Sequence, residues 1–273
     1  MRTLGQVLEH QGPAGATLPE ILPSLTRRGI RLRRAQVALA AAQPNGGKSL
    51  FSLWYAISSG VRCLYISADT DPHTTMLRAS AIRTGLTIDQ VEALIEKDSD
   101  QVRTALSSLN HTRFSFDPNP SLEDIDLSCA AYEEVFGAYP ELIIVDNLMN
   151  VLSGLDNEWQ GYREVLSAMH TLARGTGACV LILHHVSEND SKALYPAPRR
   201  AIVGKVSQLP ELILTFAIEP TSGVFRIACV KNRHGVHDAS GEDYDTVYVD
   251  AARMTIYDSQ QEMQMAAKRR EWG

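Results

Sequence analysis

A lysine and a serine follow a glycine-rich turn in the segment AAQPNGGKSL, residues 41–50. The spacing matches the phosphate-binding pattern x-x-x-x-x-G-K-S, with Ala42 at the position that usually holds the first glycine. Glycines before the lysine let the backbone turn tightly and direct N–H groups at phosphate oxygens. We expect Lys48, otherwise solvated, to contact the β- and γ-phosphates of a nucleotide, and Ser49 to bind Mg²⁺. The residues expected to surround the phosphates are Ala42, Gln43, Pro44, Asn45, Gly46, Gly47, Lys48, Ser49 and Leu50.

A carboxylate ends the apolar run ELIIVD, residues 141–146, well after this loop. A carboxylate at the end of such a strand holds the water shell of Mg²⁺ in P-loop proteins, so Asp146 is the expected partner of Ser49 in a metal site. Asn147 follows it, whereas AAA+ ATPases end this strand with an Asp-Glu pair. The general base is therefore expected elsewhere in the chain.

Short apolar runs bounded by turn residues alternate with amphipathic stretches, as in strands buried on both faces of a sheet. The predicted strands are residues 36–41, 63–67, 112–116, 141–146, 178–184, 211–216 and 225–230, followed by a hairpin at 245–250 and 253–258. Residues 157–175 have helical spacing, with Asp156 or Asn157 at the start and Gly175 at the end, and a short helix is predicted at 18–25. The alternation predicts an α/β fold with a mostly parallel twisted sheet that closes with antiparallel strands after residue 211.

These segments together resemble the RecA/DnaB-type (superfamily 4) helicase ATPases, above all the lone motor domains of RepA-like plasmid and phage helicases. The resemblance covers about residues 36–258 and includes the A-x-P-x-x-G-K form of the loop. It implies a RecA-like core that binds ATP and Mg²⁺ and takes its general base from the end of the strand after the P-loop helix. DnaB-type proteins carry Ser-x-Glu there. In CLYISADTD, residues 63–71, Asp69 falls on the glutamate position and Asp71 is the alternative, unless the pair only caps the next helix.

The resemblance also assigns roles at two later strand ends. IACVKNRHG, residues 227–235, places Lys231 and Arg233 on the family's Lys-x-Arg pair, which enters the ATP site of the neighbouring subunit. A guanidinium there would stabilise charge on the γ-phosphoryl oxygens in the transition state, while the alternative is a solvated strand tip. His184 and His185 stand where relatives sense the γ-phosphate, and only one should face the nucleotide because side chains alternate along a strand.

The polar, proline-bearing stretch at 187–208 is predicted to be a mobile loop. The corresponding region of the family faces a central channel, so the resemblance makes Arg199, Arg200 and Lys205 the expected contacts to single-stranded DNA. The basic run RRGIRLRR at 27–34 is the alternative contact. The plainest interpretation of either group is a solvated surface.

Residues 1–34 are predicted to form an N-terminal arm that packs between subunits, residues 35–258 the ATPase core and residues 259–273 a basic C-terminal tail. The resemblance implies a homo-oligomer, a hexameric ring, that works as an ATP-driven DNA helicase of the replicative type. Two alternatives stay open: a recombinase-like or loader ATPase that binds DNA without unwinding it, and a Mg²⁺-dependent DNA nuclease on the same fold.

Composition limits the class of protein and its location. The 273 residues are 44% apolar with a net charge of −6, so a full core can form and the surface as a whole does not attract nucleic acid. No apolar run reaches the roughly 18 residues of a membrane span, and the N-terminus lacks the apolar stretch of a secretory signal. The four cysteines lie far apart, which argues against a disulfide framework and favours a cytoplasmic protein without a membrane partner.

Overall fold

A sheet of nine strands organises the chain in the computed structural model, which describes residues 14–187, 189, 192 and 194–271. The strands are Val37–Ala42 (β1), Cys63–Ser67 (β2), Thr112–Ser115 (β3), Leu142–Asp146 (β4), Cys179–His185 (β5), Leu212–Glu219 (β6), Val224–Asn232 (β7), Tyr244–Asp250 (β8) and Thr255–Tyr257 (β9). Their order is β3-β2-β4-β5-β1-β6-β7-β8-β9. Pairing is parallel from β3 to β6 and antiparallel from β6 to β9. The predicted α/β fold is confirmed, and each predicted apolar run forms a strand close to its expected bounds.

One strand departs from the predicted topology. β6, the first strand after residue 211, pairs with β1 in parallel, with Leu212 opposite Ala38, so antiparallel pairing begins only at β7. The long connection between β5 and β6 carries the chain back to the starting edge of the sheet, as parallel neighbours require. The carboxyl ends of β1, β2, β4 and β5 therefore meet at one edge, where the candidate site lies.

Helices cover both faces of this sheet. The described helices are Pro23–Arg27 (α1), Lys48–Ser58 (α2), Pro72–Thr84 (α3), Ile88–Ser107 (α4), Leu122–Phe136 (α5), Glu158–Thr176 (α6) and Gln260–Glu271 (α7). α2 packs on one face, and α5 and α6 pack on the other, which is why successive residues of β1, β4 and β5 are all buried. Asn157 caps α6, as one of the two predicted caps, but the helix ends at Gly177 rather than at Gly175.

The described part of the predicted N-terminal arm packs on the chain's own core. Leu18, Leu22 and Leu25 are buried in the cluster on the α2 face, and the Tyr55 hydroxyl donates a hydrogen bond to the Pro19 carbonyl at 2.7 Å. The helix predicted at 18–25 is limited to α1, which begins at a proline. Residues 14–34 are therefore part of the domain, and residues 1–13 of the predicted arm lie outside the described residues.

The predicted C-terminal tail is helical where the structure describes it. α7 is tied to the sheet by Arg270, which donates to Asp250 at 3.2 Å; residues 272–273 lie outside the described residues. Among the described helices, none has the length and apolar character needed to cross a bilayer.

Candidate nucleotide-binding site

The phosphate-binding loop joins β1 to α2 at the edge where the parallel strands end. Gly47, the residue before α2, has a φ of 91°, and a Cβ on it would lie 2.7 Å from the Phe225 ring. A Cβ on Gly46 would lie 2.6 Å from the Cβ of Ala42. The methyl group of Ala42 is thus accommodated because Gly46 has no side chain. The loop keeps its backbone free to approach an anion at the positive end of α2.

Lys48, the first residue of α2, is folded against its own loop. Its Nζ donates to the carbonyl oxygens of Ala42 and Gln43, each at 3.2 Å, and the residue is only 7% exposed. Burial lowers the pKa of Lys48, while the charges of Asp146 and Asp69 oppose that shift. The expectation of a solvated lysine is wrong, because two loop carbonyls hold its ammonium group.

Asp146 ends β4 next to the first turn of α2. The residue is 2% exposed, and burial raises its pKa, while hydrogen bonds from Ser49 and Tyr65 lower it. A serine hydroxyl and a carboxylate beside a phosphate-binding loop are the hard oxygen donors that Mg²⁺ prefers. The structure therefore brings together the two predicted metal ligands, and these residues fit that ion.

Two polar residues of this site were not predicted from the sequence. The Tyr65 hydroxyl of β2 donates to Asp146 Oδ2 at 2.9 Å, and Ser52 Oγ of α2 lies 2.9 Å from the same hydroxyl. Both residues are buried. The alternation along β2 was the available signal, because it places Tyr65 and Ser67 on one face of the strand that leads to the predicted base.

The two aspartates that follow β2 have different surroundings. Asp71 is the N-cap of α3, and its Oδ1 accepts a hydrogen bond from the Thr74 amide at 3.0 Å. Asp69 is exposed, and its amide donates to the carbonyl of Asp146 at 3.2 Å. The charge of Asp69 also acts on Lys48. Asp69 therefore lies beside the metal-side residues, whereas Asp71 performs the helix-capping role.

His184 and His185 at the end of β5 face opposite sides of the sheet. His184 is fully buried on the α6 face, where its Nε2 lies 2.9 Å from the Val203 carbonyl oxygen and its ring packs on Tyr162. Burial lowers its pKa to about 4. His185 lies opposite Ala42 on the α2 face, where burial, then the charge of Lys48, lowers its pKa. Of the two predicted phosphate-facing histidines, the geometry favours His185 and directs His184 away from the loop.

Lys231 and Arg233 lie at the other edge of the sheet. The strand that carries them, β7, runs antiparallel to β6, so its end lies beside the beginning of β6. The Nζ of Lys231 donates to the carbonyl oxygens of Ser207 and Gln208 at 3.0 and 2.6 Å, and burial lowers the pKa of Lys231 to about 8. Arg233 pairs with Glu211 at 3.4 Å and its side chain is 52% exposed. The structure does not bring these two cations to the phosphate-binding loop of the same subunit.

The predicted DNA contacts Arg199, Arg200 and Lys205, here called the loop cations, lie on two 3-10 turns, Arg199–Ala201 and Val203–Gln208. The prediction of a mobile loop is wrong for this part, because Ala201, Ile202 and Val206 of the turns are buried in the core. Arg200 and Lys205 are exposed, whereas Arg199 is partly buried and donates to Ser207 at 3.4 Å.

The alternative basic run at 27–34 is largely neutralised within the chain. Its arginines have the following partners: Arg27 with Asp258, Arg28 with Asp243 and Asp245, Arg31 with Glu20, Arg33 with the Gly15 carbonyl, and Arg34 with Glu141. A cation paired with a carboxylate attracts a phosphate less, so the loop cations are the better candidates for contacting a nucleic acid.

Comparison with known proteins agrees with this site. A family model described as "AAA domain" matches residues 17–191, which include the loop, Asp69 and Asp146. Over 266 residues the chain is 34% identical to "Gene 65 protein" of Mycobacterium phage L5, covering 94% of this chain and 99% of that protein. It is 33% identical over 232 residues to "Gene 65 protein" of Mycobacterium phage D29, covering 81% and 99%. The description of the family is unexpected from Asn147, which stands where AAA+ proteins have a glutamate.

The fold is that of RecA/DnaB-type ATPase domains. A DnaB-like replicative helicase superimposes with a TM-score of 0.75 at 13% identity, covering 93% of this chain and 64% of the helicase chain. A solved structure of a separate ATPase domain gives 0.74 at 13% identity, covering 94% of this chain and 96% of that domain. The RadB recombinase gives 0.58 at 14% identity, covering 89% and 100%. At these identities the likeness concerns the fold.

Proposed function

Since the chain belongs to the family described as "AAA domain", we propose that it is an ATP-hydrolysing DNA motor, a helicase of the replicative type that acts on single-stranded DNA as a hexameric ring. One observation carries the proposal: the residues of the ATP chemistry are divided between opposite edges of one sheet. A subunit divided in this way requires a neighbour to complete its site.

Each residue at the loop edge has a role in this proposal. Lys48 exchanges its two carbonyl acceptors for the β- and γ-phosphates of ATP, and Ser49 with Asp146 holds Mg²⁺, which neutralises charge on the phosphate oxygens. Asp69 orients and deprotonates the attacking water. An aspartate is one methylene shorter than the glutamate of DnaB-type proteins, so we expect slow turnover in the absence of DNA.

The neighbouring subunit supplies the cations. Arg233 and Lys231 follow β7, level with the start of β1, whereas Lys48 follows the end of β1. A head-to-tail interface brings these two edges together and closes into a ring when the rotation between subunits permits it. The guanidinium of Arg233 would then stabilise the transition-state charge on the phosphoryl oxygens, as an arginine finger does in other phosphoryl-transfer enzymes.

A groove beside the loop cations supports the assignment of DNA as the partner. Three adjoining cavities of about 240, 510 and 460 Å³ share lining residues: Lys192 and Tyr195 border the first two, and Arg200 borders the last two. The groove runs from Gln43 of the phosphate-binding loop to Arg199. Cations with an aromatic ring along one groove suit a single strand, which needs charge for its phosphates and a flat surface for its bases.

The alternative is a recombinase-like or loader ATPase, which the likeness to the RadB recombinase fold favours. A strand-displacement assay separates the two functions. A forked duplex is mixed with purified protein in Mg²⁺ with ATP, without ATP, and with the Lys48→Ala variant in ATP. ATP-dependent unwinding by the wild type alone supports the motor, and binding without unwinding supports the alternative. Cleavage of the DNA without ATP would overturn both in favour of a nuclease.

A further inference from the structure

A buried chain of hydrogen bonds connects the helix after the phosphate-binding loop to the metal-side carboxylate. It consists of Ser52 in α2, Tyr65 in β2 and Asp146 in β4, with both heavy-atom distances at 2.9 Å. Tyr65 is 3% exposed and Ser52 is fully buried. Ser52 lies one helical turn after Ser49, the other metal-side residue, and its hydroxyl is also 3.2 Å from the Ser49 carbonyl oxygen.

The direction of the chain follows from its chemistry. An ionised carboxylate only accepts hydrogen bonds, so the single proton of the Tyr65 hydroxyl goes to Asp146. The tyrosine oxygen then accepts from Ser52. Burial raises the pKa of Tyr65, so the phenol keeps its proton and remains a donor. The other strand neighbours around Asp146 are apolar, since Val145 and Ile144 are fully buried side chains of the same strand.

We infer that Tyr65 is a positioning residue for the metal-binding carboxylate: it fixes the orientation of Asp146 through Oδ2, so that the carboxylate meets Ser49 and the cation without reorganising. This inference rests on the proposed Mg²⁺-dependent nucleotide site. Partners that orient a metal ligand from behind typically change metal affinity by about 10–100-fold when they are removed. Loss of the Tyr65 hydroxyl should therefore weaken Mg²⁺ and leave the contacts of the phosphates with the loop unchanged.

The test compares Tyr65→Phe with Tyr55→Phe. Tyr55 is also buried, at 6% exposed, and its hydroxyl makes one hydrogen bond, to Pro19, away from the metal side. Affinity for a fluorescent ADP analogue is measured with EDTA and over a range of Mg²⁺ concentrations, so the readout is binding and not turnover. For Tyr65→Phe, the Mg²⁺ concentration that gives half of the gain in affinity should rise about 10–100-fold, with the affinity in EDTA unchanged. Tyr55→Phe should match the wild type in both conditions.

Three outcomes would overturn the inference. Tyr65→Phe could show the Mg²⁺ dependence of the wild type, it could lose affinity equally in EDTA and in Mg²⁺, or Tyr55→Phe could show the same defect. A wild-type protein without any Mg²⁺-dependent gain in affinity would overturn the nucleotide site itself together with the inference. If Tyr65→Phe does not fold, Ser52→Ala removes the donor to Tyr65 and should shift the Mg²⁺ dependence in the same direction. An unshifted Ser52→Ala would then count against the inference.

Discussion

Replacing Arg233 with alanine should abolish ATP hydrolysis, and a second subunit should be able to restore it. Arg233 follows β7, whose last residue pairs with Leu212, and Leu212 pairs with Ala38 at the start of β1. Lys48 comes after Ala42, the last residue of β1. At about 3.3 Å per residue, the strand from Ala38 to Ala42 alone separates the two cations by roughly 13 Å. Within one subunit, Arg233 cannot reach a phosphate held by Lys48.

The structure also sets the expected magnitudes. A guanidinium that stabilises the transferring phosphoryl group is worth about 10³–10⁵ in rate, which is about 4–7 kcal/mol of barrier. The effect on stability should be small, because the Arg233 side chain is 52% exposed and Glu211 keeps its hydrogen bond from the Val37 amide. A half-exposed ion pair contributes less than about 1 kcal/mol to the free energy of unfolding. Arg233→Ala should thus be folded, bind ATP and fail to hydrolyse it.

Mixing two inactive variants tests the arrangement directly. Arg233→Ala and Lys48→Ala are each assayed for ATP turnover, then mixed in equal amounts under conditions that allow subunit exchange. In a head-to-tail ring with random order, about a quarter of the interfaces pair an intact loop with an intact arginine, so roughly a quarter of the wild-type rate should return. Arg270→Ala is the control, since that arginine also forms an ion pair, with Asp250, and should keep full activity.

The refuting result is equally specific. If the mixture stays inactive although subunit exchange is proven by labelled protein, Arg233 acts within its own subunit or not at all. A protein that remains monomeric with ATP and DNA would remove the basis of the proposed ring.

The remaining predictions concern the loop edge and the DNA. Lys48→Ala should reduce ATP turnover to background and lower the free energy of unfolding by only about 1 kcal/mol, since two hydrogen bonds are lost while a buried charge is relieved; turnover at the wild-type rate would contradict the loop assignment. Asp69→Asn should bind ATP without hydrolysing it, whereas Asp71→Asn should stay active because asparagine caps a helix as well as aspartate does. The opposite pattern in the same turnover assay would make Asp71 the base. Replacing all three loop cations with alanine should reduce the slope of log affinity against log salt by about 2 for single-stranded DNA, and an unchanged slope would count against their contact with phosphates.

The phosphate-binding loop could be predicted from the sequence because its demands are local. Gly46 and Gly47 are adjacent, each lacks room for a Cβ, and the lysine and serine follow at once. The same holds for the strands, whose apolar runs are continuous because helices cover both faces of the sheet. The cap at Asp71 is also local, since its partner is three residues away.

Other features depend on which strands lie side by side, and no short segment contains that information. Tyr65 is one more residue of an apolar strand until the pairing of β2 with β4 places it against Asp146. Likewise, the basic run at 27–34 has the composition of a nucleic-acid contact, but Arg28 and Arg34 meet carboxylates that lie 217 and 107 residues away in the chain. The sequence also predicted that one of two adjacent histidines faces the nucleotide, and only the covering helix α6 decided which.

The sequence by itself thus determined the chemistry and most of the elements, since backbone geometry and periodicity are set by neighbouring residues. The tertiary structure decided the topology of β6, the partners of the buried polar groups and the separation of Arg233 from Lys48. The physical reason is that hydrogen bonds and ion pairs act over a few ångströms in space, and only the packed sheet brings residues that are distant in the chain within that range.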